Sequence, residues 1–311
     1  MAFTAKDVAK LREITGAGMM ECKKALTHTD GDMDKATEYL RERGVSVAAK
    51  KAGRIASEGV VAAYMSEDGK VGALVEINCE SDFVARGDVF TTLGKEIAEI
   101  VAKNNPANND ELLAMAMNGN TVLGCINDTT AKTGEKISFR RFVRHEIPSG
   151  CQEAYIHMGG KIGVLLETET SAEINANEEF RTMCHDIAMH IAAFGPRFIY
   201  NDEVPAEEVA HEREILKAQA MNDPKNANKP AAVLEKMTEG RIGKFYKEIC
   251  LIDQDFAKDP SITISALVAA QAKKLGTTIT LKRFTRFVMG EGLEKKNENF
   301  AEEIAKMSSG N

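Results

Sequence analysis

One segment of this chain occurs twice. Residues 63–76 read AYMSEDGKVGALVE and residues 154–167 read AYIHMGGKIGVLLE, so seven of fourteen positions are identical at a constant offset of 91. In each copy, two apolar stretches flank a glycine-containing turn, a pattern typical of a β-hairpin. The duplication therefore predicts two related units, each built around one hairpin.

The likeness between the copies continues into a predicted helix, at an offset of 90. The shared apolar positions recur with the spacing of one helix face. They are Phe90, Ile97, Ala98, Val101 and Ala102 in the first copy, and Phe180, Ile187, Ala188, Ile191 and Ala192 in the second. Strands and helices segregated in this way predict an α+β fold, with antiparallel sheets covered by helices on one face.

Other segments add elements to this duplicated core. Residues 137–143 and 277–288 each predict a further strand. The sequence predicts an inserted antiparallel helical hairpin, formed by residues 206–221 and 231–248 and joined by a polar turn. Such a hairpin either packs against the rest of the chain or mediates association. Residues 298–307 predict a short C-terminal helix.

The start of the chain predicts a separate module of three short helices. Thr4 and Asp7 form a capping-box pattern that begins the first helix. We expect the third helix to end at Gly44, and residues 48–53 to form a linker. The whole chain is thereby predicted to divide into a helical module (1–54), a first core subdomain (55–146), a second core subdomain (147–204 and 249–289), the helical hairpin (205–248) and a C-terminal module (290–311).

Net charge and apolar content disfavour some classes of protein. The net charge is −7, which disfavours a simple nucleic-acid binder, because neutralising phosphates supplies most of that affinity. Residues 1–54 carry 11 basic and 8 acidic side chains, whereas the remainder carries 29 and 39. This asymmetry fits either two ordinary solvated surfaces or a basic unit that meets a partner. The sequence has no apolar run long enough for a membrane span, and its first residues do not resemble a signal peptide.

Reactive chemistry has no signature in this sequence. There is no GxSxG, no GxxxxGK[ST] and no GxGxxG after a strand, so no enzyme class is indicated. The six cysteines are widely spaced, and we expect reduced, mostly buried thiols in a cytoplasmic protein. His185 and His190 lie five residues apart, a poor spacing for a shared metal on a helix. We expect neither a metal site nor a cofactor.

Two local features leave alternatives open. Phe83, beside Asp82, is either tucked under the sheet as a helix staple or presented as an apolar wedge on a strand-to-helix turn. Met19 and Met20 cannot both face one small core, so either one packs and the other is incidentally exposed, or the pair forms a docking spot. For His157, at the second hairpin turn, the pattern favours an ordinary surface residue.

Four collinear motifs resemble those of the bacterial elongation factor Ts family. They are LREITGAGMMECKKAL (11–26), NCESDFV (78–84), EKMTEGR (235–241) and RFVMGEGLEK (286–295). The resemblance implies a guanine-nucleotide exchange factor that binds elongation factor Tu, GDP-bound or nucleotide-free, and is not an enzyme. It also implies that the N-terminal module is ubiquitin-associated-like and that the helical hairpin is a coiled coil, which in the family can join two copies or two complexes.

The resemblance also assigns roles to residues. It implies that Phe83, with Ser81, Asp82 and Val84, reaches the magnesium site of the partner's GTPase domain and disturbs the groups that hold the ion. Further partner contacts are implied for Arg12, Met19, Met20, Gly134, His157 and Met237, and for the C-terminal residues 286–293. The competing hypothesis is a protein-interaction adaptor that uses the N-terminal module and leaves the nucleotide unaffected.

Overall fold

The computed structural model describes residues 3–15, 17–223, 226 and 229–294. Its helices are α1 (Ala5–Thr15), α2 (Met19–His28), α3 (Met33–Lys51), α4 (Asp82–Ala85), α5 (Asp88–Asn104), α6 (Asn109–Ala114), α7 (Val122–Thr133), α8 (Glu178–Phe194), α9 (Ala206–Asn222), α10 (Ala231–Ile249) and α11 (Ile264–Leu275). Its strands are β1 (Glu58–Met65), β2 (Val71–Cys79), β3 (Ala116–Met117), β4 (Asn120–Thr121), β5 (Ser138–Glu146), β6 (Cys151–His157), β7 (Ile162–Glu169), β8 (Asp255–Phe256), β9 (Asp259–Thr263) and β10 (Thr280–Val288). This mixture of helices and antiparallel strands agrees with the predicted α+β class.

The repeated segments form two antiparallel hairpins, as predicted. In the first, Ala63 of β1 pairs with Leu74 of β2. In the second, Ala154 of β6 pairs with Leu165 of β7, so the two copies share one register. A third strand completes each sheet, giving the orders β1-β2-β5 and β10-β7-β6, with β2 and β7 in the centre.

The duplication extends into the third strands, which the sequence analysis did not recognise. At an offset of 142, SFRRFVRHE of β5 matches TLKRFTRFV of β10. Arg144 donates from Nε to the carbonyl of Ala102 (2.8 Å), and Arg286 donates from Nε to that of Ala192 (3.3 Å). Each arginine thus binds a carbonyl in the last turn of its unit's helix, where a positive charge also complements the helix dipole.

A helix covers each sheet with the face that the sequence predicts. All ten apolar positions matched between the copies are buried, and they belong to two separate cores. A smaller apolar cluster that includes Val61, Leu165 and Phe287 joins the two sheets. The contact is reinforced by the backbone, since Val61 N–H donates to the carbonyl of Gly160 (2.8 Å). Therefore the two units form a continuous body.

The N-terminal helices follow the prediction except at one boundary. Thr4 and Asp7 cap α1 reciprocally, with Thr4 N–H donating to Asp7 Oδ2 (2.7 Å). The expectation that α3 ends at Gly44, before a linker at residues 48–53, is wrong, because α3 continues to Lys51. Gly44 is buried against α7, where an added Cβ would lie 3.3 Å from Asp128 Oδ1. The glycine therefore permits close helix packing and does not terminate the helix.

The inserted segment forms two helices, α9 and α10, which pack against each other. Its coiled-coil character stays a prediction, as do the ubiquitin-associated-like assignment of the first module and the domain boundaries. The helix predicted at residues 298–307 lies outside the described residues. No helix in the described part of the chain is long and apolar enough to cross a lipid bilayer.

His145 on β5 predicts a dependence of stability on pH. It is buried where the sheets meet, with Nε2 3.2 Å from Thr285 Oγ1. Burial, assisted by the charge of Arg283 and opposed by Glu167, lowers the pKa of His145 to about 4. Since the unfolded chain binds this proton near pH 6.5 and the folded chain does not, stability should fall as pH drops below about 6.5.

We expect wild-type protein to lose about 2 kcal/mol of unfolding free energy through this residue between pH 7 and pH 5. Urea denaturation at both pH values measures it. His145→Gln should reduce the dependence by about this amount, whereas His211→Gln, at an exposed position of α9, should leave it unchanged. Equal pH slopes for wild type and His145→Gln would contradict the assignment.

Candidate functional site

The turn between β2 and α5 presents Phe83 to solvent. The phenyl side chain is 86% exposed, on the single helical turn α4. Its neighbour Val84 packs against the first core and Ala85 is buried, so helical geometry directs Phe83 outward. Of the two interpretations of Phe83, the tucked staple is wrong and the exposed position is confirmed. An isolated apolar side chain of this size at a rigid strand-to-helix turn suits insertion into a partner.

Glu135 anchors this turn from another loop. Its Oε2 accepts hydrogen bonds from the backbone N–H groups of Glu80 (3.1 Å) and Ser81 (2.9 Å), and its Oε1 accepts one from the Ser81 hydroxyl (2.6 Å). In return, Glu80 Oε1 accepts a bond from Lys136 N–H (2.6 Å). These bonds bring Gly134, the left-handed C-cap of α7, next to the Ser81–Val84 turn. Gly134 is among the site residues predicted from the sequence, and Glu135, which directly follows it, is not.

Charged side chains around the turn are paired, and the thiol of Cys79, just before it, is unreactive. Asp82 forms an exposed i,i+4 ion pair with Arg86 (3.0 Å), of the weak kind that solvent screens. Burial opposes ionisation of Glu80, but Lys136 N–H and Arg54 hold the pKa of its carboxyl below the ordinary value. Burial, followed by the charge of Glu135, raises the pKa of Cys79 to about 12. Cys79 is therefore protonated near neutral pH and is not a nucleophile.

The turn of the second hairpin carries His157 and rests against β1. His157 is half-buried, with Nδ1 2.9 Å from the Tyr155 hydroxyl. The next residue, Met158, has a left-handed backbone and is 72% exposed; the sequence analysis did not select it. Lys161 Nζ binds Glu58 Oε2 (2.7 Å), and Glu58 pairs with Cys79 at the end of β2. Through these contacts the His157 turn is joined to the strand that leads into the Phe83 turn.

The N-terminal module exposes the other apolar residues that the sequence singled out. Met19 and Met20 are 45% and 63% exposed, so the interpretation that one of them packs in the core is wrong. Arg12 is exposed on α1. Ile14, which was not selected, is also exposed and lines a cleft of about 880 Å³ between this module and the core. Val89, one turn into α5, lines the opposite side.

Met237 lies on a different part of the molecule from the residues above. It is half-buried on α10, and its sulfur is 3.6 Å from Lys229 Nζ. The contacts that join the Phe83, Gly134 and His157 turns do not include it.

In the part of the chain that the structure describes, no three His, Cys, Asp or Glu side chains are arranged to hold a metal ion. His185 pairs with Glu153 and His190 with Gln254. The cysteines are free thiols and all but Cys125 are buried, as expected. What the surface provides is exposed apolar side chains held on anchored turns.

Comparison with known proteins identifies the family. The family model described as "Elongation factor TS" matches residues 80–291. The chain is also 49% identical over 306 residues to the elongation factor Ts of Clostridium perfringens strain SM101, covering 98% of this chain and 99% of that protein. The chain belongs to the elongation factor Ts family.

Other relatives agree with this assignment. The elongation factor Ts of Symbiobacterium thermophilum is 48% identical over 308 residues, and that of Trichlorobacter lovleyi is 46% identical over 309 residues. Each match covers 98% of both proteins, so it includes the N-terminal module that precedes the family-model match. The resemblance inferred from four motifs is thus confirmed, and the chain matches these relatives over nearly their full length.

The exposure of Phe83 predicts that it contributes little to folding. Phe83→Ala should change the unfolding free energy by less than about 0.5 kcal/mol, as surface substitutions do. Phe90→Ala, at a position 1% exposed in the first core, should lower it by about 3–5 kcal/mol. Urea denaturation of the two variants makes the comparison. A loss above about 2 kcal/mol for Phe83→Ala would show that the ring packs inside.

Proposed function

We propose that this protein is a translation elongation factor that binds elongation factor Tu and promotes release of its GDP. Family membership supports the general role. The observation that carries the proposal is Phe83, 86% exposed beside Asp82 on a turn fixed by hydrogen bonds. A protein that acts in this way is not an enzyme, because its effect comes from binding alone.

The proposed mechanism uses the turn as a wedge. Phe83 inserts between side chains of the partner's GTPase domain, beside the magnesium site of that domain. Asp82 brings a carboxylate toward the same groups; its pair with Arg86 is solvent-exposed, so it can be exchanged for another partner. When the groups that hold Mg²⁺ are disturbed, the phosphates of GDP lose charge neutralisation and the nucleotide leaves faster.

Other exposed residues extend the proposed interface. Arg12, Met19 and Met20 would grip a helix of the partner, with Met side chains adapting to its surface. Gly134 and His157 would contact the same partner domain as Phe83, since their turns are joined to the Phe83 turn. Met237 and the residues near 286–293 would contact other parts of the partner. The wedge would thus be one element of a spread contact surface.

Thermodynamic linkage explains how binding becomes exchange. If this protein weakens the binding of GDP to the partner, GDP weakens the binding of this protein by the same coupling free energy. Coupling free energies between two ligands of an allosteric protein typically amount to about 1–3 kcal/mol. A transient ternary complex then lets the nucleotide leave without any covalent bond being made or broken.

We expect Phe83→Ala and Asp82→Ala to lower partner-stimulated GDP release. For Phe83→Ala the stimulated rate should fall by about tenfold, equivalent to about 1.4 kcal/mol of lost stabilisation. Stopped-flow release of a fluorescent GDP from elongation factor Tu measures the rate. The matched control is Phe194→Ala, which removes another exposed phenylalanine, 58% exposed at the end of α8. Wild-type rates in both Phe83 and Asp82 variants would refute the wedge.

Deleting residues 1–54 tests the role of the N-terminal module. We expect weaker binding to the partner with the duplicated core still folded, because the two sheet cores are built from later residues. Titration calorimetry measures the affinity, and circular dichroism follows the fold. An unfolded core would contradict the boundary at residue 54.

The adaptor hypothesis remains the second candidate, favoured by the exposed Met19 and Met20. It predicts binding through the N-terminal module with no change in the rate of GDP release, so the same stopped-flow measurement separates the two. We further propose a cytoplasmic location, no direct contact with nucleic acid, and association of two copies or two complexes through α9 and α10.

A further inference from the structure

The Phe83 turn cannot hold its own orientation. Helix α4 is four residues long, far below the length at which a helix is stable alone. Phe83 itself is too exposed to be fixed by packing. The direction in which it points must therefore come from the packing of Val84 and Ala85, from the residues that flank the turn and from whatever binds them.

The carboxylate of Glu135 accepts three hydrogen bonds from residues that flank the turn. It accepts from two consecutive backbone N–H groups, those of Glu80 and Ser81, and from the Ser81 hydroxyl, all immediately before α4. Hydrogen bonds to an ionised acceptor are stronger than neutral ones. Because they hold the backbone and the N-cap side chain together, they fix where α4 starts and hence the direction of Phe83.

The anchoring is reciprocal and reaches the N-terminal module. Glu80 accepts the Lys136 N–H (2.6 Å) and pairs with Arg54 (3.2 Å), while Lys136 Nζ donates to the Arg54 carbonyl (2.9 Å). Lys51, at the end of α3, donates to the carbonyl of Gly134. The loop that carries Glu135 is thus itself held from both sides.

The second copy of the repeat provides an internal comparison. At the offset of 142 that relates β5 to β10, Thr277 replaces Glu135. Its hydroxyl lies 3.4 Å from Thr170 Oγ1 and 3.3 Å from Ser171 Oγ, so the same two loops meet through neutral groups. A 3₁₀ turn, Ala172–Ile174, stands where the first copy has α4, and no phenylalanine occurs there. The carboxylate anchor is present in the copy that exposes a phenylalanine.

We propose that Glu135 is a positioning residue that sets the orientation of Phe83 through the backbone of Glu80 and Ser81. The proposal rests on the exchange function proposed above and assigns it a residue that does not touch the partner's nucleotide. It requires that loss of Glu135 act through Phe83 and not through general stability.

The test compares four variants in stopped-flow GDP release from elongation factor Tu. They are Glu135→Ala, Glu135→Gln, Phe83→Ala and the double variant Phe83→Ala/Glu135→Ala. We expect Glu135→Ala to lower the maximal stimulated rate by about tenfold, because small misplacements of a functional group have effects of this order or larger. Glu135→Gln keeps an acceptor oxygen and should restore part of the rate. The double variant should be no slower than Phe83→Ala, since coupled residues are not additive.

Glu203→Ala is the matched control for loss of a loop anchor. Glu203 also accepts from two consecutive backbone N–H groups, those of Ile199 (2.7 Å) and Tyr200 (3.3 Å), but in the second core. Glu203→Ala should leave the rate of GDP release unchanged. Hydrogen exchange of amides 80–85 gives a readout independent of the partner, and it should accelerate in Glu135→Ala and stay unchanged in Glu203→Ala.

Each outcome decides a separate point. A wild-type rate in Glu135→Ala, an additive double variant, or unchanged amide exchange would overturn the role of Glu135 while leaving the exchange function in place. If wild-type protein itself fails to stimulate GDP release, the exchange function falls, and with it any role of Glu135 in exchange. Partial rescue by Glu135→Gln with non-additivity at Phe83 supports the proposal.

Discussion

A buried carboxylate on the central strand of each sheet is the interaction on which this fold depends. Glu76, fully buried on β2, binds Arg140 (2.8 Å), Arg141 (2.7 Å) and the N–H of Gly290 (2.7 Å). Burial opposes its ionisation, yet the Gly290 N–H and the two guanidinium groups hold its pKa below the ordinary value. An unpaired charge there would be strongly destabilising, so the carboxylate selects the strand that pairs beside it.

The second sheet has a similar arrangement, with one arginine and one glutamine in place of the two arginines. Glu167 of β7 binds Arg283 of β10 (2.9 Å) and the side-chain amide of Gln152 (2.7 Å). In the first sheet, by contrast, the carboxylate of Glu76 also accepts a hydrogen bond from a backbone N–H, that of Gly290, in the segment that follows β10. That segment thereby crosses from one sheet to the other and fixes their relative orientation. Because the Phe83 turn follows β2 and the His157 turn precedes β7, the same clamp fixes the spacing of the two turns.

The hairpins and helix faces could be predicted because their signals are local and duplicated. Alternation around Gly69 and Gly160, and the helical spacing of the residues near Phe90 and Phe180, are each contained within a few turns of chain. The exposure of Phe83 could not be predicted, since the same residues fit a buried staple equally well. Gly44 was misinterpreted because a glycine that ends a helix and one that admits a neighbouring helix look alike without the neighbour. Glu135 lies 54 residues from Ser81, and no local pattern links the two.

The two copies show how such a fold can change one surface while keeping its frame. Both retain the central glutamate, the partner arginine of the third strand and the arginine that binds the last turn of the covering helix. The two glutamates are buried, and removing the arginines would take hydrogen-bond partners from these carboxylates and from the helix carbonyls. The loops after β2 and β7 carry no such constraint, so they can differ in length, charge and exposed side chains. An anchored phenylalanine in one copy and a hydroxyl-linked turn in the other are therefore compatible with the same sheet. The proposed exchange function can then lie in loop residues that folding does not require, with the proposed anchor a carboxylate that only the first copy has.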